Sequence, residues 1–158
     1  MRKESQALLE AAGFENAQPV ETRYFLVYSA LSPRQTASLV RQLDAMYAKV
    51  TELLGIPSGL NLFWGKASIF ICRTSDEFRL IEAQAFKNMV APGVIGLCHQ
   101  RGPKVFVNTF RAEDDLQFAS TLVHETVHGI MHRFISPVRL PTWADEGFAE
   151  YVAGRSFE

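Results

Sequence analysis

The sequence predicts an α+β fold in which a small mixed sheet carries helices and is followed by a helical C-terminal part. Short runs rich in β-branched and aromatic residues alternate with longer segments whose apolar residues recur every three or four positions. After the last strand-like run, only helical patterns remain. In 158 residues this order predicts one domain, with a sheet-containing part at 1–112 and two helices within 113–158.

The first predicted strand and helix lie in the first third of the chain. Arg23–Ser29 is rich in aromatic and β-branched residues, which is typical of a strand. Ser32 then suits a helix N-cap, and Pro33 suits the first helical position. Apolar residues recur at helical spacing beyond it, and Gly55 is expected to end the helix because glycine is favoured just after a helix.

A second strand–helix pair and a hairpin follow. Ala67–Cys72 is predicted to be a strand, and the capping-box pattern Thr74-Ser-Asp-Glu77 opens a helix that continues to about Asn88. Val94–His99 and Lys104–Phe110 are predicted to be two strands joined by a turn. The predicted sheet is therefore complete before the last third of the chain.

Two helices make up the predicted C-terminal part. Acidic residues at 113–115 suit the positive end of a helix dipole, and their helix should run to about Phe134. Its apolar content predicts a buried position. Ser136–Pro141 is a short connection, and the capping-box-like Thr142-x-x-Asp145 opens a last helix that ends near Gly154.

The composition excludes several classes of function. Sixteen basic and 17 acidic residues leave a net charge of −1, which disfavours an electrostatic nucleic-acid or anionic-membrane binder. No apolar run reaches the roughly 18 residues of a membrane-spanning helix. Cys72 and Cys98 are either free thiols or one bridge. The N-terminal apolar segment is too short for a signal-peptide core, so we expect a cytoplasmic protein or one whose leader has been removed.

The long apolar helix contains three of the four histidines, at His124, His128 and His132. His124-Glu125-x-x-His128 is the helix signature of zinc peptidases. Four residues advance a helix by about 400° and 6 Å, so both imidazoles share a face and can bind one Zn²⁺. Glu125 flanks that face and is the predicted general base for a metal-activated water. The alternative is a core helix with satisfied histidines, although burying these groups without a metal or partner is costly.

A catalytic zinc ion needs a third protein ligand and an open position for water. The metzincin pattern requires a glycine and a histidine three and six residues after His128, where Met131 and Phe134 stand. A glutamate on a following helix is the other common solution. Glu146 and Glu150 are four residues apart and share a face. Glu146 is therefore the predicted third ligand, and Glu150 the carboxylate that accepts the distal N–H of a ligand histidine.

Other residues near these motifs receive simpler interpretations. His132, one turn beyond His128, is predicted to be a solvated or capping residue, and His99 a surface residue near the hairpin turn. Cys98 is a candidate zinc ligand in a latency switch, but a buried free thiol is commoner. Trp143 and Phe148 are expected to pack the last helix against the histidine helix.

The two motifs together resemble the gluzincin metallopeptidases. His124-Glu-x-x-His128 followed by Trp143-x-x-Glu146-Gly-x-Ala-Glu150-Tyr is most similar to bacterial peptidase-MA-like domains with a Pro-x-Trp-x-x-Glu-Gly-x-Ala-x-Tyr helix. The resemblance implies a zincin-like domain over 1–158, Zn²⁺ as cofactor and hydrolysis of a peptide or protein substrate. It also implies an edge strand that pairs with the substrate. We expect Lys104–Phe110 to be that strand, with Asn108 holding the substrate backbone.

Alternatives to an active peptidase remain open in the sequence. The family usually has a second lobe that supplies a tyrosine or histidine to stabilise the oxyanion, and this chain stops shortly after Tyr151. Tyr151 lies about 140° around the helix from Glu146. The alternatives to a peptidase are a non-catalytic module that binds zinc or peptide, a purely structural domain, and one half of a larger enzyme completed by a partner chain or by residues not present here. The intact Glu125 favours catalysis.

Overall fold

A computed structural model describes residues 1–111, 114–134 and 140–156. The predicted division at 112/113, the acidic Glu113 and most of the Ser136–Pro141 connection lie outside the described residues. The described elements, in chain order, are α1 (Arg2–Ala11), β1 (Val20–Glu21), β2 (Phe25–Ser29), α2 (Pro33–Leu53), β3 (Ala67–Cys72), α3 (Ser75–Ile81), a π-helical turn (Glu82–Phe86), β4 (Gly96–Arg101), β5 (Lys104–Phe110), α4 (Asp115–Phe134) and α5 (Thr142–Arg155). The predicted α+β class is confirmed.

The sheet is mixed, as predicted, with the strand order β1-β2-β3-β5-β4. Strands β2, β3 and β5 are parallel, and β1 and β4 run antiparallel to their neighbours. The expectation that Lys104–Phe110 is the edge strand is wrong, because β5 pairs with β3 on one side and with β4 on the other. Its hairpin partner β4 takes the outer position.

Helices cover both faces of the sheet. Successive strand residues point to opposite faces, so Val105 and Val107 pack with α2, α4 and α5, whereas Phe106 packs with α1 and α3. The central strand β3 is buried on both sides, and all of its residues except Ser68 are apolar. Each side of the sheet thus has its own hydrophobic cluster.

Two elements before Arg23 were not predicted. Helix α1 is mostly polar, but Leu8 and Leu9 are buried against the sheet, and Ser5 Oγ lies 2.6 Å from Ser68 Oγ. Short polar helices depend on tertiary packing more than on propensity, so this sequence carries little signal of its own. Strand β1 has only two residues and adds to the far edge of the sheet.

The helix ends agree with the predictions in part. Ser32 and Gln35 form a reciprocal capping box at α2, and Gly55 has the left-handed φ of +67° that favours glycine. Thr74 accepts a hydrogen bond from the Glu77 N–H. The predicted capping box at the start of α5 is wrong. The N-cap residue there is Pro141, whose side chain forms no capping hydrogen bond.

Close packing joins α4 to the hairpin. A Cβ atom on Gly129 would lie 2.5 Å from Val105 Cγ1, and one on Gly96 would lie 2.7 Å from Thr121 Cγ2. Larger residues at either position would force the two elements apart. The absence of side chains here lets α4 lie directly over the end of β4, which brings the motif helix to the sheet edge.

Helices long and apolar enough to cross a membrane are absent from the described ranges.

Candidate metal centre

Helix α4 presents its two motif histidines on one face, as the i, i+4 spacing requires. The rings of His124 and His128 meet edge to face, with centroids 4.8 Å apart. Their Nε2 atoms lie 3.1 Å from each other. His128 is 9% exposed, and His124 is half-buried. Both rings therefore direct the same nitrogen to one point at the surface of the helix.

Glu146 reaches that point from α5. Its Oε2 atom lies 3.3 Å from His124 Nε2 and 3.6 Å from His128 Nε2. Buried Ala149, Val152 and Ala153 anchor α5 in the core cluster that it shares with α4. Three possible ligand atoms from two helices thus lie within 4.8 Å of one another.

The spacing of these three atoms fits a tetrahedral metal ion. Zinc binds histidine nitrogen and carboxylate oxygen at about 2.0–2.2 Å, which separates ligand atoms by roughly 3.3 Å at tetrahedral angles. The observed separations of 3.1, 3.3 and 3.6 Å straddle that value. Two imidazoles and one carboxylate also match the ligand types of catalytic zinc.

A second carboxylate faces the other nitrogen of each ring. Glu150 Oε2 lies 3.4 Å from His124 Nδ1, and Asp145 Oδ2 lies 3.2 Å from His128 Nδ1. Each carboxylate favours the tautomer that carries its proton on Nδ1. Asp145 is an addition to the predicted site, because the sequence pattern indicated only a capping role for it. The available signal was its position one residue before Glu146.

Glu125 is buried beside the group, with 9% of its surface exposed. Burial raises the pKa of its carboxyl group, and the nearby His128 and His124 oppose that rise. The backbone N–H of Cys98 also opposes the rise. Gly96 of edge strand β4 also lies beside Glu125, since a Cβ atom built there would be 3.0 Å from Glu125 Cγ.

A cleft of about 510 Å³ opens next to His124 and Glu125. One wall is the chain that leads into β4, and the other is the N-terminal half of α4. The cleft is lined by Gly93, Val94, Ile95, Gly96, Asp114, Leu116, Gln117, Ser120, Thr121, His124, Glu125 and Glu150. The candidate metal centre is thus reached from an open groove.

Asn108 is not part of this site. It is fully buried on the α3 side of the sheet, and its Nδ2 atom donates hydrogen bonds to Phe78 O and Glu82 Oε1. Helix α4 packs on the other side. The predicted contact of Asn108 with substrate is therefore wrong, since strand alternation turns this side chain away from His124.

His99 is also not the surface residue that was predicted. Its Nε2 atom lies 2.9 Å from both carboxylate oxygens of Glu82, and its ring stacks on Phe86 at 3.9 Å. Glu82 is fully buried and also accepts hydrogen bonds from Asn88 and Asn108. This network joins β4 and β5 to the π-helical turn.

Three other interpretations have clear outcomes. Trp143 is 79% exposed, so its predicted packing against α4 is wrong, whereas Phe148 does pack against the core. His132 is half-buried one turn beyond His128 and lies outside the ligand group. Cys72 and Cys98 are both free thiols on opposite faces of the sheet, which rules out a bridge between them.

Comparisons with known proteins leave the chain without an assigned family. No protein-family model matches it, and no curated protein matches its sequence. A functional interpretation therefore depends on the geometry of the site.

Proposed function

We propose that this chain is a zinc-dependent peptidase of gluzincin type, in which His124, His128 and Glu146 bind Zn²⁺. The observation that carries the proposal is the convergence of two imidazole nitrogens and one carboxylate oxygen from two helices, at the separations of 3.1, 3.3 and 3.6 Å. The His-Glu-x-x-His motif and the downstream glutamate helix agree with it.

The tautomers of the two rings strengthen the case for a cation. When the Nδ1 protons are donated to Glu150 and Asp145, the lone pairs of both Nε2 atoms point toward each other and toward Glu146. Three acceptors without a shared proton repel one another. A metal ion at their centre converts that repulsion into three ligand bonds, and this arrangement is the one that zinc sites use.

Glu125 is the proposed general base. When bound, zinc supplies a Lewis acid that activates water and polarises the scissile carbonyl. The Glu125 carboxylate accepts a proton from the attacking water and then donates it to the leaving amine, which balances the proton over the cycle. Burial raises the pKa of Glu125, which favours holding that proton between the two steps.

The substrate backbone would bind at β4, which replaces β5 in this role. Strand β4 is an edge strand, it borders the cleft through Gly96, and Gly96 also lies against Glu125. An extended peptide can add to an open sheet edge through backbone hydrogen bonds. A peptide bound in this way lies alongside α4 with its carbonyls next to the proposed metal ligands.

Metal analysis tests the proposal directly. Protein purified without added zinc is expected to contain about one Zn per chain, and His124→Ala or Glu146→Ala is expected to lose it. His132→Ala is a matched control, because this histidine is on the same helix but outside the ligand group. Wild-type protein that binds no zinc, or equal zinc in all four proteins, would contradict the assignment.

A non-catalytic module that binds zinc or peptide is the second candidate. The exposure of the site favours it, because the Glu146 and Glu150 side chains are 57% and 83% exposed. Water-accessible ligands weaken the electrostatic stabilisation that peptide hydrolysis needs. One bound Zn per chain without turnover of a broad peptide library would favour this candidate over the peptidase.

A further inference from the structure

The cleft beside the candidate metal centre is negatively charged. Three carboxylates line it, from Asp114, Glu125 and Glu150, and none of the described lining residues is Lys or Arg. Asp145 and Glu146 add two more carboxylates at the histidine end. One divalent ion would leave this group of five anions with a net negative charge.

The overall composition does not produce this charge. Acidic and basic residues nearly cancel over the whole chain, whose net charge is −1. The negative charge is instead concentrated along one groove. A groove of this kind favours a cationic partner and disfavours an anionic one.

Asp114 and Leu116 form a distinct end of the groove. Asp114 Oδ1 accepts a hydrogen bond from the Leu116 N–H at 2.8 Å, which holds the carboxylate at the start of α4. Leu116 is 61% exposed and lines the same groove. Nearby Arg111 is hydrogen bonded to Asp115 instead. An anionic oxygen next to an aliphatic surface suits a long side chain with an apolar stem and a cationic head.

The length of α4 sets the distance between this end and the reacting bond. Ten residues separate Asp114 from His124 along the helix, which is about 15 Å at 1.5 Å per residue. An extended peptide covers about 3.4 Å per residue, so roughly two to four residues plus a lysine or arginine side chain cover the span.

We propose that this groove selects peptide segments with a lysine or arginine side chain two to four residues from the scissile bond, and that Asp114 binds the cationic head. The inference rests on the proposed function, because it takes the groove as the substrate site. It adds a substrate class and a specificity-determining residue that lies outside the metal ligands.

Peptide binding to the Glu125→Gln protein tests this without catalysis. The probes are three fluorescein-labelled Ala/Ser decapeptides that differ at one central position, which is Lys, norleucine or Glu. Fluorescence anisotropy at low salt is measured with the zinc-loaded and the metal-free protein. We expect the Lys peptide to bind about two- to fivefold more tightly than the norleucine peptide, and the Glu peptide to bind most weakly.

A second substitution isolates Asp114. Asp114→Asn keeps an equally good helix-capping residue and removes only the charge, so the fold should be preserved and the preference for Lys should disappear. Asp76→Asn, at the start of α3, is the matched control and should retain the preference. Gln117→Lys, inside the groove, should reverse the order of the Lys and Glu peptides.

The outcomes separate this inference from the proposed function. Equal binding of the three peptides, no binding of any, or an unchanged preference in Asp114→Asn would overturn the inference while zinc binding remained intact. Failure to bind zinc would overturn the proposed function instead, and a Lys preference of the metal-free protein would still support the groove.

Discussion

Asp145 Oδ2 lies 3.2 Å from His128 Nδ1, on the opposite side of the imidazole from the nitrogen that faces Glu146. Asp145 and Glu146 are neighbours in the sequence, and they contact the same histidine from two directions. Asp145 positions the ring through Nδ1, and Glu146 lies beside Nε2. The N-terminal part of α5 therefore contacts both ring nitrogens of His128.

Loss of the Asp145 carboxylate is expected to weaken zinc binding. Without an acceptor at Nδ1, His128 loses its orientation and part of its basicity, so Asp145→Ala should reduce zinc affinity about 10- to 100-fold. Asp145→Asn retains an acceptor oxygen and should cost less. Competition with a coloured chelator measures both values. Unchanged affinity in Asp145→Ala would show that the contact has no role in metal binding.

Removal of the Glu125 charge is expected to separate metal binding from catalysis. Glu125→Gln should still contain about one Zn per chain, because Glu125 is outside the ligand group, but its turnover of a labelled protein substrate should fall at least about 100-fold. Glu10→Gln, on α1, is the control for loss of one carboxylate. Turnover near the wild-type rate in Glu125→Gln would exclude the general-base role.

Two glycine substitutions are expected to have opposite effects on stability. Gly129→Ala places a methyl group 2.5 Å from Val105 Cγ1, and such overpacking costs about 1–3 kcal/mol of unfolding free energy. Gly154→Ala meets no atom within 4 Å and should gain up to about 1 kcal/mol from helix propensity. Urea unfolding measures both. Equal effects of the two substitutions would argue against close packing of α4 on the hairpin.

The two thiols are expected to react slowly in the folded protein. Burial raises the pKa of Cys72 from its usual 9.0 to about 12, and burial raises that of Cys98 well above the usual range. At pH 8 the reactive thiolate is therefore rarer than in the unfolded chain. A thiol reagent should modify both residues slowly in buffer and rapidly in urea. Rapid native labelling of Cys72 would contradict its burial.

The raised pKa of Cys72 also predicts that the protein loses stability at alkaline pH. The folded pKa of Cys72 is above the unfolded value, so its contribution is complete below about pH 9 and falls as the pH rises toward 12. Cys72→Ala should flatten this part of the stability profile. Measurement of unfolding free energy between pH 8 and pH 11 compares the two proteins, and identical profiles would contradict the shift.

Local patterns predicted most of the helices and strands. The start of α2 at Pro33, the strand Ala67–Cys72, the strand Lys104–Phe110 and the end of α4 at Phe134 all agree with the sequence analysis. These features depend on capping residues and on hydrophobic periodicity, which act over a few residues. The i, i+4 placement of His124 and His128 on one face follows from the same local geometry.

Other features required contacts between distant parts of the chain. The hairpin sequence does not predict which of its two strands lies at the edge of the sheet. That position depends on whether β4 or β5 pairs with β3. The separation of Asn108 from the site also depends on which face of the sheet α4 packs against. The exposure of Trp143 and the His99–Glu82 network likewise depend on how separate elements pack.

Local sequence patterns were enough to predict that His124 and His128 share a helix face, that Glu125 flanks it, and that a second helix with a glutamate follows. Helix geometry fixes which residues share a face, so these features need no distant contacts. Only the tertiary structure decided that Glu146 meets both Nε2 atoms, that Asp145 and Glu150 face the two Nδ1 atoms, and that β4 borders the cleft. The physical reason is that those contacts are made between separate elements, whose relative positions come from packing of the whole core and not from any local pattern.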